Sequence, residues 1–125
     1  MHQEIRSLLR CDTVMFEYDV HDMHRAVEWY SDVFGFEVVF RGGGCHTELA
    51  LPVQGARLAL SLAEGKPIRK GARLFLRTDD ITAVEGYLRQ KGVKAGPIEK
   101  VQDVVLILWL EDPEGNHLAI EQRIG

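Results

Sequence analysis

The chain carries one pattern twice. Residues Thr13–Val38 read as a strand, an aspartate (Asp22), an amphipathic helix, a glycine (Gly35) and a second strand. Residues Arg73–Ala95 repeat that order, with Asp80 and Gly92 at the matching places. Each half then runs on into short apolar segments. A unit that recurs only twice cannot build a solenoid or a propeller, which need several stacked copies. What remains is two α+β modules that share one core, with a site at their seam. A chain of 125 residues is long enough for one sizeable core. The expected organisation is therefore a single domain over 1–125, with a first βαβββ module over 12–64 and a second over 71–122.

The elements follow from local chemistry. Thr13–Val20 is rich in β-branched and aromatic types and reads as a strand. Asp22 is placed to cap the next helix by accepting a backbone N–H. Met23, Ala26, Val27, Tyr30, Val33 and Phe34 form one stripe at helical spacing. Phe36–Phe40, His46–Leu51 and Arg57–Ala63 are predicted strands. Glu64–Gly71, with Gly65, Pro67 and Gly71, is the predicted linker. The second half gives a strand at Arg73–Thr78, a cap at Asp80 and a helix stripe of Ile81, Val84, Tyr87 and Leu88. Strands follow at Val93–Ala95, Val101–Leu110 and His117–Gln122, the last two joined by a tight turn over Asp112–Asn116. Many strands and only two helices predict α+β with curled, mainly antiparallel sheets.

Composition closes off several functions. The net charge is −4 and no basic stripe is present, which argues against a nucleic-acid partner. Cys11 and Cys45 lack the spacing of a metal knuckle or redox pair and are expected as free thiols in a reducing compartment. The longest uncharged apolar run, Val104–Leu110, is far too short to span a bilayer. Met1–Arg10 has no signal-peptide core. The expected location is the cytoplasm, with no membrane partner.

Three segments together resemble the vicinal oxygen chelate superfamily, which includes glyoxalase I, extradiol dioxygenases and bleomycin-resistance proteins. They are Asp22–Val38, then Asp79-Asp80-Ile81 followed by Gly92-Val93, then Asp112–Glu121. The likeness spans about residues 12–122. It implies two βαβββ modules that pair edge to edge around a cavity, often across a homodimer. In enzyme members a divalent metal sits there, held by one ligand from the first and fourth strand of each module.

The ligand positions implied by that resemblance carry the wrong chemistry. Seven residues before each capping aspartate stand Met15 and Arg73; four residues after Gly115 stands Ala119; the fourth position is Ala59 or Ser61. A thioether is a poor ligand for a hard ion, a guanidinium cannot bind one, and a methyl has no donor atom. The expectation is no metal and no cofactor. A non-standard set of His46, Glu48, His117 and Glu121 is chemically capable of holding one. The plainer reading is that these groups line a wet groove and pair with Arg73 and Arg77.

Strand alternation extends the site, because residues two apart share a face. Met15, Glu17 and Asp19 should face the cavity, as should Arg73, Phe75, Arg77, His117 and Glu121. Trp109 shares a face with Ile107, opposite Leu106, Leu108 and Leu110. Either face could be the core one; a leucine face packed on a helix would turn Trp109 toward the cavity. The candidate ligand-binding set is Met15, Glu17, Arg73, Phe75, Arg77, Trp109, His117 and Glu121, with no catalytic residue assigned. The resulting expectation is a homodimeric protein of the glyoxalase or bleomycin-resistance type that binds a small organic ligand without a metal. The alternatives are a metal-dependent lyase, isomerase or dioxygenase using the non-standard set, and an interaction module with a vestigial cavity.

Overall fold

A computed structural model describes residues 5–9 and 12–125; Cys11 lies outside the described residues, and Cys45 is an exposed free thiol. The chain runs α1 (Ile5–Leu8), β1 (Val14–Val20), α2 (Met23–Phe34), β2 (Val38–Gly42), β3 (His46–Ala50) and β4 (Ala56–Leu62). The second half runs β5 (Arg73–Arg77), α3 (Ile81–Gln90), β6 (Glu99–Val101), β7 (Val105–Glu111) and β8 (His117–Arg123). The two halves build two four-stranded sheets of identical order, β1-β4-β3-β2 and β5-β8-β7-β6. In each, the first and last strands pair parallel and the other pairs are antiparallel.

The helices begin where the aspartates place them. The Asp22 carboxylate accepts the Arg25 N–H at 3.0 Å, and Asp80 accepts the Ala83 N–H at 3.1 Å, each satisfying a donor the helix cannot. Gly35 ends α2 at φ 72°, its N–H returning to the last-turn carbonyls, a left-handed conformation that costs glycine nothing. One apolar cluster runs through both modules. It joins Val20, Tyr30, Leu49, Leu58 and Leu60 of the first half to Leu74, Ile81, Leu88, Leu108 and Leu118 of the second.

Three strand assignments move. The first hairpin begins at Val38 rather than Phe36 because Phe36 is buried in the core behind α2. Val101–Leu110 is not one strand but a hairpin: β6 and β7 fold about Gln102 and Asp103, both at positive φ (52° and 55°). No glycine marks that turn, so composition hides it. Val93–Ala95 forms only a single bridge, from Ala95 to Leu110.

The seam between modules is polar and specific. The Tyr18 hydroxyl donates to the His117 carbonyl and accepts the Leu74 N–H at 2.9 Å, sitting at the opening of the β5–β8 ladder. Burial pushes that phenol up to about 12. Tyr30 donates to Asp112 at 2.8 Å, and Asn116 Nδ2 donates to the Asp19 carbonyl at 3.0 Å. The Asp112–Asn116 turn of module two is thereby fastened to β1 and α2 of module one.

Candidate functional site

Register places the candidate residues on two open strand faces. In module one, Met15 pairs Arg57, Glu17 pairs Ala59 and Asp19 pairs Ser61. His46 lies opposite Ser61 and Glu48 opposite Ala59. In module two, Arg73 pairs His117, Phe75 pairs Ala119 and Arg77 pairs Glu121, while Glu111, Trp109 and Ile107 continue those rows on β7. The alternate residues, among them Tyr18, Leu58, Leu60, Leu74, Leu108 and Leu118, are buried in the core. The leucine face of β7 is thus the core face, with Leu108 and Leu110 buried, and Trp109 points the other way.

The pairing also resolves the register of β4. Met15 faces Arg57 as Arg73 faces His117, so Ala59 corresponds to Ala119 and Ser61 to Glu121. The four positions implied for a metal are Met15, Ala59, Arg73 and Ala119. Ala59 and Ala119 are buried methyls, 1% and 0% exposed. Such a set has one soft thioether, one fixed cation and two groups without a lone pair, and it does not fit a divalent ion. The non-standard set is not gathered either. Both oxygens of Glu48 are engaged, by His46 Nε2 and Arg57 Nη1, each at 2.8 Å. Those two partners, His46 first, hold its carboxyl below the usual range. His117 faces Glu111 at 3.7 Å, and Glu121 faces Arg77 at 3.5 Å and Arg123 at 3.7 Å. Among the described residues, no three His, Cys, Asp or Glu side chains come together in a group able to hold a metal.

The pairing of charges departs in part from the expected one: Glu121 meets Arg77, but Glu48 takes Arg57 rather than Arg73 or Arg77. Glu17 and Asp19 are held by Arg69, from the linker. Its guanidinium donates from Nε at 2.8 Å and Nη2 at 2.8 Å to the two oxygens of Asp19, and from Nη2 at 3.0 Å to Glu17. That fork on the buried Asp19 lowers its carboxyl to about 2. Arg69 was missed because it lies in a stretch read as connection only. Arg57, likewise missed, is found by cross-strand register to Met15.

Arg73 pairs with neither Glu17 nor Glu121. Its guanidinium carbon stands 5.5 Å from the centre of the Trp109 ring, within reach of a cation–π contact. Phe75 meets Trp109 edge-on at 5.6 Å, and the two rings flank the buried methyl of Ala119 in the same row. Where the resemblance places a last-strand metal ligand, the protein has an aromatic platform with a cation beside it.

Among the described residues no side-chain hydrogen bond, ion pair or ring contact joins the two faces. Met15 and Phe75 are 53% and 46% exposed, so both faces are open within one chain. Two clefts adjoin the second face. One of about 670 Å³ is lined by Trp29 and Val33 of α2, by Lys91–Gly96, and by Trp109, Glu111, Pro113 and His117. The other, about 570 Å³, is lined by Lys70, Gly71, Arg73, Glu111, Gly115 and His117. Both are in the range of small-molecule sites.

A sequence model of the Glyoxalase/Bleomycin resistance protein/Dioxygenase superfamily matches residues 13–120. The chain belongs to that superfamily. Solved structures agree on the fold. TnmS3, an antibiotic-binding protein from Streptomyces sp. CB03234, superposes with a TM-score of 0.76 at 23% identity, over 90% of this chain and 95% of its own. Lactoylglutathione lyase from Agrobacterium tumefaciens gives 0.71 at 16% identity, over 86% and 90%. An integron cassette protein from the mobile metagenome of the Halifax Harbour sewage outfall gives 0.77 at 18% identity, over 88% and 97%. No curated protein matches the chain in sequence. Identities this low carry the fold and not the activity. No helix among the described residues is long and apolar enough to cross a membrane.

Proposed function

We propose that this protein binds a small organic molecule on its open strand faces without a metal, as a cytoplasmic homodimer. One observation carries the reading: Phe75 and Trp109 flank Ala119, with Arg73 stacked beside them, where a metal-dependent relative needs a donor atom. Such a platform offers stacking area, one indole N–H and a guanidinium, the ingredients of an organic-ligand site. The ligand touches Arg73, Phe75, Trp109 and His117 from module two, while Met15, Glu17, Arg77 and Glu121 frame it. The antibiotic-binding relative TnmS3 supports the ligand class. A second chain supplies the cover that each exposed face lacks, since Met15, Phe40, Phe75 and Val101 are all more than a third exposed.

The test is a thermal-shift screen of planar organic compounds on protein stripped with a chelator and on protein supplied with zinc, manganese or iron. The expected result is compounds that raise Tm equally in both preparations and lose their effect in Trp109→Ala. Stabilisation that appears only with metal, or turnover restored by metal, overturns the reading.

A further inference from the structure

Charge pairing singles out one cation. Of the arginines on the two strand faces or reaching them, Arg57, Arg69, Arg77 and Arg123 each meet a carboxylate. Arg73 meets none among the described residues and has only the Trp109 ring. Lys70, three residues earlier and lining the same 570 Å³ cleft, also meets no carboxylate among the described residues. Its Nζ donates only to the carbonyls of Glu114 and Gly115, at 3.3 and 3.4 Å. Gly115 makes room for it: a Cβ there would stand 2.9 Å from that Nζ. A chain of net charge −4 thus keeps in one cleft two cations that have no acidic partner among the described residues. His117 stands with them, and its neighbour Glu111 is the one carboxylate on the lining.

We infer that Lys70, Arg73 and His117 form an oxyanion subsite, and that the ligand is a planar aromatic or conjugated molecule carrying a carboxylate, sulfonate or phosphate. This rests on the proposed binding face and names the ligand class it takes. The geometry gives each part a partner. The planar body lies on Trp109 and Phe75. The anionic group extends along β5 toward Arg73, whose guanidinium already sits beside the indole, and is met by Lys70 from the linker. A guanidinium and an ammonium converging on one oxyanion make charge-assisted hydrogen bonds, the strongest kind available to such a ligand. Glu111, on the same lining, opposes the anion and so weakens the preference that Lys70 and Arg73 create.

The probes are naphthalene-2-sulfonate and its neutral analogue naphthalene-2-sulfonamide, titrated calorimetrically into the full chain at low and moderate salt. The sulfonate is expected to bind about tenfold tighter or more, the value of a charge-assisted hydrogen bond. Arg73→Gln and Lys70→Gln each reduce that preference, the sulfonate losing more affinity than the sulfonamide, and Glu111→Gln increases it. Lys94→Gln, on the other cleft, leaves the preference alone. Equal binding of the two probes to the native protein, or a preference that survives in the Arg73→Gln, Lys70→Gln double variant, overturns the anion subsite alone. Failure of both probes to bind overturns the aromatic binding face as well.

Discussion

Removing the Tyr18 hydroxyl tests the seam on which the second face depends. Tyr18 is 2% exposed, and its hydroxyl satisfies two backbone groups of module two at once, the Leu74 N–H and the His117 carbonyl. Tyr18→Phe keeps the ring and its edge-on contact with Phe16 at 5.0 Å but leaves both groups without that partner. A buried group left unsatisfied costs about 1–3 kcal/mol. The two groups lie on neighbouring strands at the ladder opening, so they can recover part of the loss by closing on each other. The expected net cost is about 2 kcal/mol, or roughly 8 °C in Tm for a domain of this size. Denaturant unfolding measures the first and calorimetry the second. Because His117 belongs to the candidate site, amide resonances of Leu74 and residues 117–119 should also shift. A loss under about 0.5 kcal/mol, with those resonances unmoved, would refute the claim that this hydroxyl fastens the modules.

Other expectations follow from the same contacts. Asp19, held near 2 by Arg69, has a folded value below its unfolded one. Its contribution is therefore full above the ordinary carboxylate range and disappears as pH falls through about 2. Allowing for the solvent-exposed Arg69, it amounts to about 1–2 kcal/mol, and Asp19→Asn should narrow the stability difference between pH 7 and pH 2 by that amount in urea titrations. Leu118 of β8, fully buried in the apolar cluster, should cost about 2–5 kcal/mol on conversion to alanine, read from the shift in urea midpoint. Sedimentation at micromolar concentration should give a dimer mass, and a monomer alone at every concentration would contradict the proposed cover for the two faces.

Much of this architecture was written in local chemistry. Asp22 and Asp80 announce helices because a short acceptor before an apolar stripe has one economical use. The phase of β5 and β8 could be read because side chains alternate strictly, so anchoring on Asp80 and Gly115 placed Arg73, Phe75, Ala119 and Glu121 on one face. For Trp109 the leucine row on β7 left either face open, and the burial of Leu108 and Leu110 decides it. What could not be read depended on tertiary neighbours. Arg69 lies in an irregular stretch with no periodicity, and only folding brings it over Asp19. The β6–β7 turn uses Gln102 and Asp103 in left-handed conformations without glycine. Arg73 reaches out of its own His117–Glu111 row to the ring of Trp109 in the next row, a diagonal contact that no sequence pattern announces. The openness of both faces within one chain is likewise a property of how the modules pack.

The central claim is that a small organic ligand is held on the second strand face without a metal. Its most direct test is a heteronuclear NMR titration of chelator-treated protein with a set of small aromatic acids and their neutral analogues. The account predicts saturable shifts at Arg73, Phe75, Trp109, Ala119 and His117, unchanged when divalent metal is added. Shifts confined to other surfaces, or binding at this face only after metal is supplied, would contradict it.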